Sequence, residues 1–177
     1  MSFKYPQAGA NFSPAYQVSG VPFVTASAAD EVKGVHNGAA SPEPISVNFD
    51  YVTKWIEIEN TDATNGLRVA FTKSGSFGSG ERLPGAGTKP AGDFGNYFVV
   101  ATGQKVKYDF RCKSLFFVSN AAASGTPTDS NKSSGFSLRA GLTTIPSSNF
   151  PVLTGSITGS ATPRFPAGRI DAFAGVG

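Results

Sequence analysis

Ile45-Ser46-Val47-Asn48-Phe49-Asp50 decides the fold class. Ile45, Val47 and Phe49 share one parity, and Ser46, Asn48 and Asp50 share the other. Successive side chains of an extended chain point to opposite faces, so this stretch buries one face and wets the other. It reads as a half-buried strand, and the sequence on both sides repeats the pattern.

Toward the C-terminus, residues 53–60 hold Trp55, Ile56 and Ile58, with Glu57 and Glu59 on the parity opposite the isoleucines. Asn60-Thr61-Asp62 and Asn65-Gly66 then supply a turn, because short polar side chains bond the local backbone. Leu67, Val69 and Phe71 alternate with Arg68, Ala70 and Thr72. Residues 97–101 are apolar on both parities, which suits a more deeply buried strand, and Thr102-Gly103-Gln104 turns the chain again. Val106, Tyr108 and Phe110 alternate with Lys105, Lys107 and Asp109, and residues 115–118 form a short buried run. Phe136, Leu138, Ala140 and Leu142 alternate with Ser137, Arg139, Gly141 and Thr143. With residues 22–27 on the N-terminal side, about eight strands are expected. No stretch repeats apolar residues at helical spacing over three turns, and residues 26–35 are short and interrupted by Gly34, so helix is expected to be minor.

Composition agrees with an all-β class. The 177 residues include 21 Gly, 12 Pro and 15 Phe but only 15% charged residues, too few to dress helix surfaces. A chain of this length forms one core and buries roughly 70% of its unfolded surface. Short strands with unequal loops point to a sandwich or barrel; a single eight-stranded jelly roll accommodates long loops best, and an immunoglobulin-like sandwich is the competitor. The expected organisation is an N-terminal arm over 1–20, a jelly-roll domain over 21–156 with a long Gly/Pro/Ser-rich loop at 74–95, and a C-terminal tail over 157–177.

The residues that could carry chemistry are sparse. His36 is the sole histidine, which removes a multi-histidine metal site and reads as a loop residue. Cys112, the sole cysteine, shares the parity of Tyr108 and Phe110 and reads as a small core residue rather than a nucleophile. Glu57 and Glu59 face one side of their strand and resemble a carboxylate pair, although solvent exposure accounts for them. Gly75-Ser76-Phe77-Gly78-Ser79-Gly80 matches neither phosphate-binding glycine pattern and reads as a flexible surface loop. No catalytic, cofactor-binding or metal-binding residue is expected, and no small-molecule substrate. A net charge of +3 falls short of a dedicated nucleic-acid binder. The first residues lack a secretory pattern, no apolar run would span a bilayer, and membrane contact has no support.

What remains are candidate contact residues. Lys105, Lys107, Arg111 and Lys113 share one parity, so an unbroken strand presents a basic stripe, interrupted by Asp109. The stripe is either a solvated face or a contact for an acidic neighbour, nucleic acid or glycan. Phe3, Tyr5, Phe12 and Tyr16 near one terminus, and Phe150, Phe165, Arg169 and Phe173 near the other, suit segments that fold back over the sandwich or reach across a neighbouring subunit.

Read in order, residues 19–25, VTKWIEIENTD at 52–62, LRVAFT at 67–72, YFVVATGQ at 97–104, FRCKSLFFVS at 110–119, FSLRAGLTTI at 136–145 and FPVLTGS at 150–156 resemble the single-jelly-roll capsid proteins of nucleocytoplasmic large DNA viruses. Within that group the chain looks most like the penton proteins. The resemblance implies a homopentamer closing a fivefold vertex of an icosahedral shell, with neighbouring major or minor capsid proteins as further partners and no cofactor. It implies a virion location, with assembly in the host cell interior. The loop at 74–95 and the tail at 158–177 depart from the pattern. The alternatives are a minor capsid protein at another shell position and a carbohydrate-binding jelly roll.

Overall fold

The computed structural model describes residues 20–28, 31–35, 41–85, 87–89, 95–121 and 133–149, and the backbone of two further strands at 153–156 and 170–173. Two antiparallel four-stranded sheets make up its body. One contains β1 (Pro22–Ala26), β8 (Phe136–Pro146), β3 (Tyr51–Asn60) and β6 (Lys105–Tyr108), in that spatial order. The other contains β2 (Ile45–Asn48), β7 (Ser114–Ser119), β4 (Leu67–Ala70) and β5 (Tyr97–Val100). The protein is all-β and compatible with a β-sandwich, and no α-helix occurs among the described residues.

The segments expected to be extended, from alternation or, at 97–101 and 115–118, from apolar runs, coincide with these strands. Two more, β9 (Leu153–Ser156) and β10 (Ile170–Phe173), pair with each other in a separate two-stranded ribbon. Residues 146–177 show little sustained alternation of apolar and polar side chains, so sequence periodicity gives little sign of this ribbon.

The pairing is nested. β1 pairs with β8, β2 with β7, β3 with β6 and β4 with β5, as in one long hairpin, and the β3–β8 and β4–β7 pairings gather those pairs into two sheets. Every pairing between these strands is antiparallel, so the connections fall alternately at two ends. At one end Asn60 Nδ2 donates to the Val100 carbonyl at 3.1 Å, Asn65 Nδ2 to that of Ser133 at 2.9 Å, and Ser134 Oγ to that of Gly66 at 3.1 Å. At the other, Thr53 Oγ1 donates to the Phe110 carbonyl at 2.7 Å, and the Phe49 N–H donates to the Lys113 carbonyl at 2.9 Å. These bonds satisfy loop backbone that burial would otherwise leave unpaired.

Between the sheets lies one apolar core, with Ile56, Ile58, Leu67, Val69, Leu115, Phe117 and Leu138 fully buried. Phe117 stacks on Phe136 with ring centroids 4.0 Å apart. Along one flank, between edge strands β5 and β6, four half-buried rings close the gap: Phe71 meets Phe110 at 5.4 Å, and Phe98 meets Tyr108 at 5.1 Å.

Two expectations are corrected. β5 is an edge strand with Val99 45% exposed rather than a deeply buried one. Its apolar residues serve two partial covers, Phe98 in the flank group and Tyr97 beneath the Arg68 guanidinium at 4.5 Å. The glycine-rich segment after β4 is packed. It forms a 3-10 turn at Ser74–Ser76, and Phe77 is fully buried with Val35 and Val118 in a second apolar cluster, against which Leu83 packs. Lys89 is also buried and donates from Nζ to the Ser74 and Phe77 carbonyls at 3.1 and 2.8 Å. Residues 74–85 and 87–89 thus cover the β7–β4 middle of the outer face of the second sheet, leaving Ser46, Asn48 and Val99 toward its edges exposed. In the first sheet Val24, Ala26 and Arg139 stand exposed on the outer face, and no described segment packs over them.

Candidate functional site

That uncovered face carries most of the candidate residues the structure describes. Its register runs in rows across the strands. Val24 of β1 lies opposite Arg139 of β8, Arg139 opposite Glu57 of β3, and Glu57 opposite Lys107 of β6. The next row is Ala26, Ser137, Glu59 and Lys105, and a third is Pro22, Gly141 and Trp55.

Glu57 is the electrostatic centre. Its Oε1 lies 2.9 Å from Lys105 Nζ and 3.2 Å from Arg139 NH1. The Lys105 hydrogen bond, aided by the charges of Lys105, Arg139 and Lys107, holds the Glu57 carboxyl below its ordinary range. A general acid needs the opposite shift, so this carboxylate is suited to anchoring cations rather than to delivering a proton. Trp55 lies over Gly141, where any Cβ would collide with the indole, and Lys107 Nζ sits 4.8 Å from the ring centroid. Glycine in a strand interior leaves a gap in the surface, and a large ring from the next strand fills it.

The expected basic stripe is formed in part. Strand β6 ends at Tyr108, yet alternation of exposure continues to Cys112, leaving Lys105, Lys107, Asp109 and Arg111 exposed on one parity. Lys113 departs from the stripe. It is half-buried where the chain crosses to β7 and its carbonyl is held by the Phe49 N–H. Phe3, Tyr5, Phe12, Tyr16, Phe150, Phe165, Arg169 and His36 lie outside the described residues, and for Phe173 only the backbone is described.

Cys112 is fully buried, its thiol 3.4 Å from Thr53 Oγ1, and burial pushes its pKa up to about 11. A thiol held protonated in this way is a core residue at neutral pH. Among the described residues no group of three His, Cys, Asp or Glu side chains could hold a metal ion, and no helix is long and apolar enough to cross a membrane.

Sequence parity gave no indication of the ion pair under the covering segment. Arg68 NH1 lies 2.7 Å from Glu81 Oε2, with side chains 8% and 15% exposed. Arg68 Nε also donates to Asn120 Oδ1 at 2.7 Å, and the Gly78 N–H donates to Glu81. A charged residue alternating with Leu67 and Val69 reads as solvent-facing, and only the non-local cover buries it. Comparison with protein-family models, with curated proteins and with solved structures returned no match.

Proposed function

We propose that the chain is a single eight-stranded jelly roll, with a further ribbon, that acts as a structural capsid subunit of the penton type at the vertices of an icosahedral large DNA virus shell. The observation that carries this reading is the nested pairing of first with eighth, second with seventh, third with sixth and fourth with fifth strands. That order rolls one long hairpin into two four-stranded sheets, an architecture used by viral shells and lectins. The ordered series of sequence segments from residue 19 to 156 directs the choice toward the shell.

The covered sheet and the bare sheet suit different tasks: the first stiffens the subunit, and the second leaves a flat charged face and two strand edges for neighbours. A glycan-binding reading has less support, because the Trp55 ring lies between Gly141 and the Lys107 ammonium instead of standing open for a sugar to stack. Reconstruction of purified virions tests the proposal. Density matching this chain at the fivefold vertices is the expected result. Density confined to other shell positions, or absence from the particle, overturns it.

A further inference from the structure

The β1-β8-β3-β6 sheet ends in two edges whose hydrogen-bonding groups match. Leu142 N–H donates to the Val21 carbonyl at 3.1 Å and Ser27 N–H to that of Phe136 at 2.9 Å, so Val21, Phe23, Thr25 and Ser27 turn their backbone groups toward β8. In an antiparallel ladder the intervening residues turn theirs away. Pro22 has no N–H to offer, and the Ala28 N–H is capped by Glu31 Oε2 at 3.0 Å. Val24 and Ala26 therefore supply the outward N–H and C=O pairs of this edge. On β6, Asn60 N–H donates to the Gln104 carbonyl at 2.9 Å, which places the outward pairs on Lys105 and Lys107.

These two pairs lie on the same rows of the sheet. Val24 shares a row with Lys107, and Ala26 shares a row with Lys105. β1 and β6 also run in opposite directions, since each of the three steps between them is antiparallel. A second copy placed beside the first without a shift along the strands thus brings β6 antiparallel to β1, with outward groups facing outward groups.

From this geometry we infer that β1 of one copy pairs with β6 of the next, Val24 facing Lys107 and Ala26 facing Lys105, as the head-to-tail contact of a closed ring. The inference deepens the capsid proposal and rests on it for the ring. A heterologous contact generates a ring only when it carries no translation along the rotation axis; the shared rows fix the register along the strands, and the capsid proposal supplies the closure. Charge excludes a second β6, because its Lys105 and Lys107 would be set against the same lysines of the next copy, whereas no charged residue from 19 to 29 opposes them on β1. Charged edge residues ordinarily block pairing, but Lys105 is drawn back onto Glu57 and Lys107 onto Trp55, leaving the β6 backbone open.

Proline substitutions at the outward positions test the contact. Val24→Pro and Lys107→Pro each remove an outward N–H and spare the ladders to β8 and β3. Sedimentation velocity and native mass spectrometry of the purified full chain are expected to show concentration-dependent closed oligomers. Each variant raises the apparent dissociation constant at least about tenfold. An equimolar mixture of the two is expected to form a heterodimer, because each retains the edge the other has lost. Should Val24→Pro fail to fold, Val24→Lys keeps the backbone and sets a cation beside Lys107 of the next copy, with the same loss expected. A monomeric wild type, variants that assemble like it, or a Lys107→Pro chain that still dimerises without capturing Val24→Pro would each overturn the inference. Vertex density in particles carrying Val24→Pro would defeat the contact and leave the capsid assignment standing, whereas rings in solution without virion density would do the reverse.

Discussion

Arg68 with Glu81 and Arg139 with Glu57 are two arginine–carboxylate pairs on the outer faces of two sheets, at 2.7 and 3.2 Å, and they do different work. The first lies beneath residues 74–89 with Phe77 and Leu83 beside the same sheet; the second stands on an uncovered surface with the Arg139 side chain 50% exposed. Burial raises the cost of leaving a charge unpaired, and exposure lets water and salt replace the partner. The covered face should therefore be read through stability and the open face through contacts.

Removing the cover's anchor gives the largest expected effect. Phe77→Ala deletes a fully buried ring and is expected to cost about 3 kcal/mol, measured by urea unfolding. If residues 74–89 open locally, limited proteolysis should cut them well before Cys112 becomes reactive to alkylation, because that thiol lies in the main core. Simultaneous exposure of both would mean that cover and sandwich unfold as one unit.

Glu81→Ala comes next, at about 2–3 kcal/mol, since it strands the Arg68 guanidinium and uncaps the Gly78 N–H. Equal unfolding midpoints for Glu81→Ala and Glu57→Ala would erase the distinction between the faces. On the open face, Gly141→Ala is expected to cost about 1 kcal/mol as the new Cβ pushes the indole aside. Trp55 is the only tryptophan, so a shift in native-state emission reports that displacement directly.

The same contrast explains what was legible in the sequence. In β2, in β3 from Trp55 onward and in β8 up to Leu142, alternation reports burial, because one face meets the core and the other is more open. At the register shift between Tyr51 and Trp55 it fails, and both Thr53 and Thr143 are buried. For β4 it fails at Arg68, since parity records which side a residue points to and not what a segment thirteen residues later lays over it. For β5 an apolar run on both parities suggested depth, but Phe98 and Tyr97 are partly sheltered by the flank rings and by Arg68 on a strand that remains an edge. Alternation placed Lys105 and Lys107 on one face, whereas their attachment to Glu57 and Trp55 depends on a cross-strand register no local pattern contains.

The smallest expected effect is the pH and salt response of the open face. The folded-state pKa of Glu57 is depressed below the ordinary 4.5, chiefly by the Lys105 hydrogen bond. A carboxylate of that kind binds its proton more weakly in the folded than in the unfolded state, so its contribution is fully present above pH 4.5 and lost as pH falls through the lower folded value. Glu57→Gln should flatten the part of the acid-unfolding profile below pH 4.5 and leave the midpoint near neutrality almost unchanged. Because the carboxylate and its cations are reached by solvent, about 0.5 M salt should shrink the difference between wild type and Glu57→Gln. The difference between wild type and Glu81→Ala should largely survive the same salt, since its pair lies beneath the cover. A Glu57 effect that resists salt as well as the Glu81 effect would mean that something covers the open face too, either another copy of the chain or one of its own terminal segments.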